Sequence, residues 1–320
     1  MANIREYNMN GTLILGIDHG YGNIKTAHRV FPTALIKSEK APTFSKDYLE
    51  YDGYSTLSGK VIRALSLKSS QMMIIISKNC FSSSLRFAAI AKELNARELT
   101  SARVHLAAGL PLKWVQAQRE SFRKYLMQNK IVQFRYKGRQ YEVEIARCTV
   151  MPQCYSAVAE NLKDFKGMNL LADIGNGTMN IMYLNNGRAM ESKSWTEKLG
   201  VFQCMQRIRN KVLDETGTNL MNEVIENYLR TGETDIAEPY AALMKEAAVS
   251  YVQEIFQKLK DYEYNESLMQ LHFMGGGARI VEAVGEYNRE RTHFNHDICA
   301  TAKGYEYYCY MILRHNKKCS

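Results

Sequence analysis

Apolar residues in this chain fall into short blocks, and the spacing within each block predicts an element. Leu13 to Asp18 is a strand-like run ending at Asp-His-Gly-Tyr-Gly, and extended character resumes over Asn23 to His28. A strand, a tight glycine turn and a second strand predict a hairpin. A clearer hairpin is predicted for residues 48–58 around Asp52-Gly53, and another for 131–146 turning at Lys137-Gly138. In the last of these, Val143 and Ile145 alternate with Glu142 and Glu144, the period of two of a half-buried strand. Helices are predicted at 82–95, with Leu85, Ala88, Ala89 and Leu94 on one side, at about 113–128, and after Pro152 at about 153–164. Val104 to Ala108 reads as a buried strand leading into Gly109-Leu110-Pro111.

The second half repeats the opening plan. Asn169 to Asp173 predicts a strand that runs into Ile174-Gly175-Asn176-Gly177-Thr178, and Met179 to Leu184 returns to a turn at Asn186-Gly187. The strand–Asp–x–Gly–x–Gly unit thus occurs twice, about 155 residues apart, which is a duplication of architecture and not a short-period repeat. Helices follow at 201–214, where Val201, Met205, Ile208 and Val212 share a face, and at 240–260, where Leu243, Ala247, Val252, Ile255 and Leu259 do. That last stripe reads as core. Thr216 to Asn219 and Thr231 to Glu238 are polar connectors, and Leu271 to Met274 is a last buried strand ending at Gly275-Gly276-Gly277.

Composition narrows the class. The 320 residues, 46% apolar and 23% charged, suit two packed lobes, since one domain takes roughly 100–150 residues. No apolar stretch reaches the roughly 18–20 residues that cross a bilayer, and the apolar run Met72 to Ile76 is strand-sized. Met1 to Asn10 is polar and lacks the pattern of a signal peptide. The seven cysteines (Cys80, Cys148, Cys154, Cys204, Cys299, Cys309, Cys319) are odd in number and form no CxxC pair, so reduced thiols in the cytoplasm are expected. The formal charge of +9 is the one unusual quantity, and a basic excess is the usual footprint of contacts to phosphate.

The paired Asp–Gly units supply candidate chemistry. Glycines let backbone N–H groups converge without a Cβ in the way, and converging N–H groups cradle phosphate oxygens. A carboxylate beside such a cradle holds a hydrated Mg²⁺ that bridges to the phosphates. Two such hairpins facing each other would grip a polyphosphate from both sides, and Lys25, just after the first, would reach the β-phosphate as a point charge.

On these residues the chain resembles the actin, Hsp70 and sugar-kinase nucleotide-binding superfamily, and within it the ParM/StbA-type bacterial actins that segregate plasmids. Asp18-His19-Gly20-Tyr21-Gly22-Asn23-Ile24-Lys25 is similar to the first phosphate loop, and Asp173-Ile174-Gly175-Asn176-Gly177-Thr178 to the second. Met274-Gly275-Gly276-Gly277-Ala278 resembles the adenosine motif, and Asp297 to Tyr305 the closing connector helix. Ala108-Gly109-Leu110-Pro111-Leu112 and the Tyr48 to Gly59 hairpin resemble the ParM branch in particular. Together these cover residues 12–310.

The resemblance implies an α/β, two-lobed actin-like ATPase fold: duplicated ribonuclease-H-like domains with the nucleotide in the interlobe cleft. Lobe I would take residues 1–158 with a return over 305–320, and lobe II residues 159–304. It implies a Mg²⁺-dependent ATPase, with GTP an open alternative to ATP, that polymerises and segregates plasmid DNA through an adaptor protein, with no sequence-specific DNA contact of its own and no membrane. The competing class is a small-molecule kinase, phosphatase or scaffold ATPase of the same superfamily, but no second constellation for a substrate stands out. Asp18 and Asp173 would hold Mg²⁺ through water. Gln153, where the family places its water-orienting residue, would share that network, and the alternative is a plain helix-start residue. Gly20, Tyr21, Gly22, Asn23, Lys25, Gly175, Asn176, Gly177, Thr178, Gly275, Gly276, Gly277 and Ala278 would bind the nucleotide. Tyr21 departs from actin's serine, and Asn176 is bulkier than the common glycine.

Other features read more plainly. His293 and His296 lie three apart in a predicted loop without a third ligand, which is ordinary surface polarity. His19 lies inside the first phosphate loop and either modulates it or is simply packed or solvent-facing, and Trp114 and Trp195 read as packing residues. Lys130 to Arg147 holds five basic and two acidic residues, and the tail ends Arg-His-Asn-Lys-Lys-Cys-Ser. Both are solvated faces by default, with a polymer contact or an anionic partner as the functional alternative.

Overall fold

The structure, a computed structural model, describes residues 4–33, 35–42, 47–58 and 81–318. The Met72–Ile76 run, Gly59, Cys80 and Cys319 lie outside them. The chain divides into two units: Met1–Leu110 with Trp114–Glu160 and Cys299–Ser320, and Pro111–Lys113 with Asn161–Ile298.

Unit 1 is built on a sheet of ten described strands: β1 (Asn8–Met9), β2 (Thr12–His19), β3 (Asn23–Thr26), β4 (Val30–Pro32), β5 (Leu35–Ser38), β6 (Tyr48–Tyr51), β7 (Tyr54–Ser58), β8 (Ser101–Leu110), β9 (Ile131–Tyr136) and β10 (Arg139–Pro152). They lie in the order β4-β3-β2-β8-β10-β9-β6-β7-β5, with β1 beside β2. All three expected hairpins form, with Asp18 opposite Lys25, Tyr51 opposite Tyr54 and Arg139 opposite Tyr136. Helix α1 (Phe81–Ala96) covers one face. It is apolar nearly all round, with Leu85, Phe87, Ala88, Ala89, Ile90, Ala91 and Leu94 buried, which fits a helix enclosed by core. Its two buried charges are both partnered. The Arg86 guanidinium donates to the carbonyls of Tyr125, Leu126 and Gln128, closing the C-terminus of helix α2 (Leu112–Leu126). Glu93 accepts from Thr26 Oγ1, His28 and Arg97, tying α1 to the end of β3.

The expected helix over 153–164 does not form. Cys154 turns at a positive φ of 68°, and only two 3-10 turns follow, Tyr155–Val158 and Leu162–Asp164. The cause lies far along the chain. Helix α7 (Ala300–Lys318) crosses the first 3-10 turn at Gly304, where any Cβ would overlap the Ser156 carbonyl. The same helix crosses β2 at Gly16, and there the Glu306 carboxyl accepts the Gly16 N–H at 2.9 Å. That N–H lies between the β1 and β3 pairings, a gap in the ladder that Glu306 fills.

Unit 2 carries β11 (Met168–Ile174), β12 (Met179–Asn185), β13 (Arg188–Glu197), β14 (Gln270–Met274) and β15 (Thr292–Phe294), in the order β13-β12-β11-β14-β15. Helices α3 (Val201–Thr216), α4 (Asn222–Thr231), α5 (Tyr240–Asp261) and α6 (Ala278–Val284) accompany it. The α5 stripe is core as expected, with Ala247, Tyr251, Val252, Ile255 and Leu259 buried. Trp195 packs as expected too, stacked on Tyr262 at 4.3 Å. His293 lies in β15 and not in a loop. It stacks on His272 and meets Gln270, while His296 faces Glu282.

The duplication is explicit in the pairing. From β4 to β10, unit 1 reads antiparallel, antiparallel, parallel, parallel, and unit 2 gives the same series from β13 to β15. No described helix is long and apolar enough to cross a membrane.

Candidate functional site

In unit 1 the candidate residues sit at the end of β2, the middle strand of the series β4-β3-β2-β8-β10. Asp18 is 5% exposed, and both its carboxylate oxygens are engaged. Lys25 Nζ lies 3.1 Å from Oδ2, and Gln153 Nε2 donates to Oδ1 at 3.2 Å. Cross-strand register places the lysine, because Asp18 and Lys25 are partners in the hairpin. Gln153 is placed by its backbone N–H, which donates to the Leu110 carbonyl at 2.9 Å and continues the β8–β10 pairing. The resemblance set Gln153 with Asp18 and sent Lys25 to phosphate; here Lys25 ends on Asp18, and Gln153 stands at a strand end where a helix start was expected.

Residues 20–23 form a tight turn in which the Gly20 N–H donates to the Asp18 carbonyl at 3.1 Å. A Cβ at Gly20 would lie 2.5 Å from the Asn23 carbonyl oxygen, so the turn has room only for glycine. Thr33, which sequence reasoning missed, braces it: its hydroxyl donates to the Gly20 carbonyl at 2.7 Å and its N–H to the Gly22 carbonyl at 3.0 Å. Tyr21 stands outward, 37% exposed, and Asn23 is exposed. His19 packs edge-on to Phe122 at 5.8 Å, and burial holds its pKa down to about 4, so the ring is neutral at physiological pH. Gly109 permits close packing nearby, since a Cβ there would overlap the Tyr305 ring.

In unit 2 the matching position is the end of β11. Asp173 is followed by Gly175 to Thr178, closed by the Gly175 N–H donating to the Thr178 carbonyl at 2.9 Å. Helix α3 braces this turn. The N–H groups of Val201 and Phe202 donate to the carbonyls of Gly175 and Asn176, and a Cβ at Gly200 would meet the Asn176 carbonyl oxygen at 2.5 Å. The parallel pairing of β11 and β14 sets Asp173 opposite Met274 and brings the Gly275–Ala278 run alongside. Gly275 has φ +79°, and a Cβ there would lie 2.5 Å from Asp173 Oδ1. Gly277 N–H donates to the Ile174 carbonyl at 3.0 Å, and Ala278 is buried at the start of α6. The structure therefore joins the second Asp–Gly turn to the triple-glycine strand end, two segments about 100 residues apart. The α3 start was read as a helix, but its bracing role and Gly200 were not; a glycine directly before an amphipathic helix is the signal that marked them.

The chain matches two family descriptions. Residues 16–155 match the N-terminal domain of actin-like proteins, and residues 171–285 the C-terminal domain of the archaeal actin homologue MreB-like. The chain belongs to the actin-like proteins. Solved structures agree in fold. The ADP complex of Ta0583, an archaeal actin homolog, superposes with a TM-score of 0.70 at 17% identity, covering 92% of this chain and 98% of that one. The apo ParM protein of pSK41 gives 0.69 at 16% identity, covering 96% and 99%. The Alp12 filament structure gives 0.65 at 17%, covering 95% and 100%. No curated protein is similar enough in sequence to match the actin-like chain. Its α/β, two-sheet architecture is thus the two-lobed actin-like fold anticipated from the paired Asp–Gly units.

Proposed function

We propose that the chain is an ATP-binding, ATP-hydrolysing protein that assembles into filaments in the cytoplasm and segregates plasmid DNA through an adaptor. One observation carries the reading: the same five-strand series in both sheets places an aspartate and a glycine turn at the end of its middle strand. The turns at 20–23 and 175–178 offer backbone N–H groups to phosphate, and Gly275, Gly276, Gly277 and Ala278 leave a Cβ-poor surface for the nucleoside. A relative of the same fold is solved with ADP and another as a filament, which supports both halves of the reading.

With Lys25 and Gln153 on its oxygens, Asp18 would hold a hydrated Mg²⁺ through water, and Asp173 would offer its carboxylate in the same way. When bound, the ion neutralises charge that develops on the phosphates. Gln153, a neutral amide held at Asp18, orients water by hydrogen bonding without taking its proton. Lys25 ends on Asp18, so its first role is to hold that carboxylate in place, with phosphate as a second partner. GTP is accepted in ATP's place if the purine is read only by backbone.

Right-angle light scattering and sedimentation of the chain with ATP and Mg²⁺, with ADP, and with neither test the assembly. Polymer that forms with the triphosphate and decays with phosphate release is the expected result. Tight ATP binding without any polymer would instead favour a soluble kinase, phosphatase or scaffold of this fold.

A further inference from the structure

The +9 charge is not spread over the chain. Unit 1 holds 26 Lys and Arg against 13 Asp and Glu, a net +13, whereas unit 2 holds 16 against 20, a net −4. Each excess peaks in one segment. Residues 119–139, the second half of α2 through the β9–β10 turn, carry Arg119, Arg123, Lys124, Lys130, Arg135, Lys137 and Arg139 against Glu120 alone, all exposed. Residues 214–238, from the end of α3 through α4 to the connector, carry Asp214, Glu215, Glu223, Glu226, Glu233, Asp235 and Glu238 against Arg230 alone. Seven to one in one segment is met by one to seven in the other. Lys124, Lys130 and Arg139 on one side, and Asp214, Glu223, Glu233 and Asp235 on the other, make no ion pair among the described residues.

A second feature matches the first. Each segment also bears one large apolar side chain in the open: Ile131, 72% exposed, beside Lys130, and Met221, 68% exposed, two residues before Glu223. Across the sheet Ile131 faces Glu144, which Arg103 already pairs, so the unspent charge beside it is the basic one, and an exposed apolar side chain next to charge marks a protein–protein contact. We infer that residues 119–139 of one copy dock on residues 214–238 of a second copy, Ile131 against Met221, with the opposite charges around them. The occupant is another copy of this chain because both complementary surfaces are encoded in it. The contact is heterologous: a copy engaged through its basic segment still offers its acidic one, and such contacts build open polymers unless the rotation closes a ring. Exposed ion pairs add little affinity singly, so the charges set partner choice and approach rate while the apolar centre supplies hold.

This inference rests on the polymer reading above, and its test separates the two. Isotopically light and heavy chains are mixed, assembled with ATP and Mg²⁺, and joined with a carbodiimide, which couples amines to carboxylates already in contact. Crosslinks from Lys124 or Lys130 to Glu223, Glu233 or Asp235 that join light to heavy chains are expected. In parallel, Lys124→Glu with Lys130→Glu raises the concentration needed for assembly by about tenfold or more, as does Glu233→Lys with Asp235→Lys, and the four-fold swap restores it. Polymer whose crosslinks map elsewhere, or join only residues of one chain, overturns the inference and leaves the polymer reading standing. So do reversals that leave assembly unchanged but abolish retention on duplex DNA, which would assign the basic segment to nucleic acid. No pelletable assembly of the unaltered chain overturns both.

Discussion

The two sheets share one strand series and one Asp–Gly turn, yet they secure that turn by different physics. Unit 1 relies on charged and hydrogen-bonding side chains. Lys25 and Gln153 hold Asp18, Thr33 holds Gly20, Glu93 anchors the end of β3, and Glu306 fills the ladder gap at Gly16. Unit 2 relies on close backbone approach. Gly200, Gly275 and Gly277 admit neighbours that a Cβ would exclude, and the α3 start takes the loop carbonyls. Both turns exclude a Cβ, at Gly20 and at Gly275, but the first adds charged supports, so it is exposed to changes of charge as well as of volume and the second to changes of volume.

The largest break in that comparison is expected at Glu93. It is buried and accepts from Thr26, His28 and Arg97, so Glu93→Ala takes the one buried carboxylate from all three, leaving Arg97 the half-exposed Glu6, and costs about 3–5 kcal/mol. Urea unfolding reads this directly. Those partners hold the Glu93 pKa down to about 2 against an ordinary 4.5, although burial opposes them. The stability it contributes is full above pH 4.5 and is lost as pH falls toward 2. The corresponding break in unit 2 is steric. Gly275→Ala forces a Cβ onto Asp173 and a positive φ onto alanine, a loss of about 3 kcal/mol by the same measurement, with little pH dependence.

Glu306 gives a smaller effect of opposite sign. Burial pushes its pKa up to about 8 from 4.5, so the folded chain keeps a proton that the unfolded chain releases. Stability then falls as pH rises from 4.5 through 8, and Glu306→Gln, which keeps the acceptor for Gly16, flattens that decline by several degrees of Tm at pH 9. The smallest expected effect is Thr33→Val. It removes one hydroxyl donor from the Gly20 carbonyl and costs about 1 kcal/mol. A Thr33 variant that instead matched Glu93→Ala in severity would show that the first turn, and not its strand, limits unit 1.

Elements that carry their own periodicity were legible. The β2–β3, β6–β7 and β9–β10 hairpins follow from alternation and turn glycines, and α3 and α5 from their apolar stripes. Elements made by distant contacts were not. The 153–164 segment has helical composition but is overruled by Gly304 of α7 lying on Ser156. Strand β13 buries only Ser194 and half-buries Trp195, too little to show a pattern, because it lies at a sheet edge, and β15 is three residues long. Helix α4 hid among polar residues, with only Ile225, Tyr228 and Leu229 buried. At the site, Asp18, Gln153 and Asp173 were visible as motif residues. Their supports Thr33, Gly200, Glu93 and Glu306 were not, since each acts through a partner remote in sequence or on a backbone group.

The central claim is that both Asp–Gly turns serve the phosphates of a nucleotide, however differently they are braced. Single-turnover phosphate release from ATP, measured for the unaltered chain, Asp18→Asn and Asp173→Asn at matched saturation, tests it most directly. The account predicts that each substitution lowers the rate about a hundredfold or more while the folded signal at 25 °C is retained. An unchanged rate in either variant would contradict it, because one of the two turns would then have no part in the chemistry.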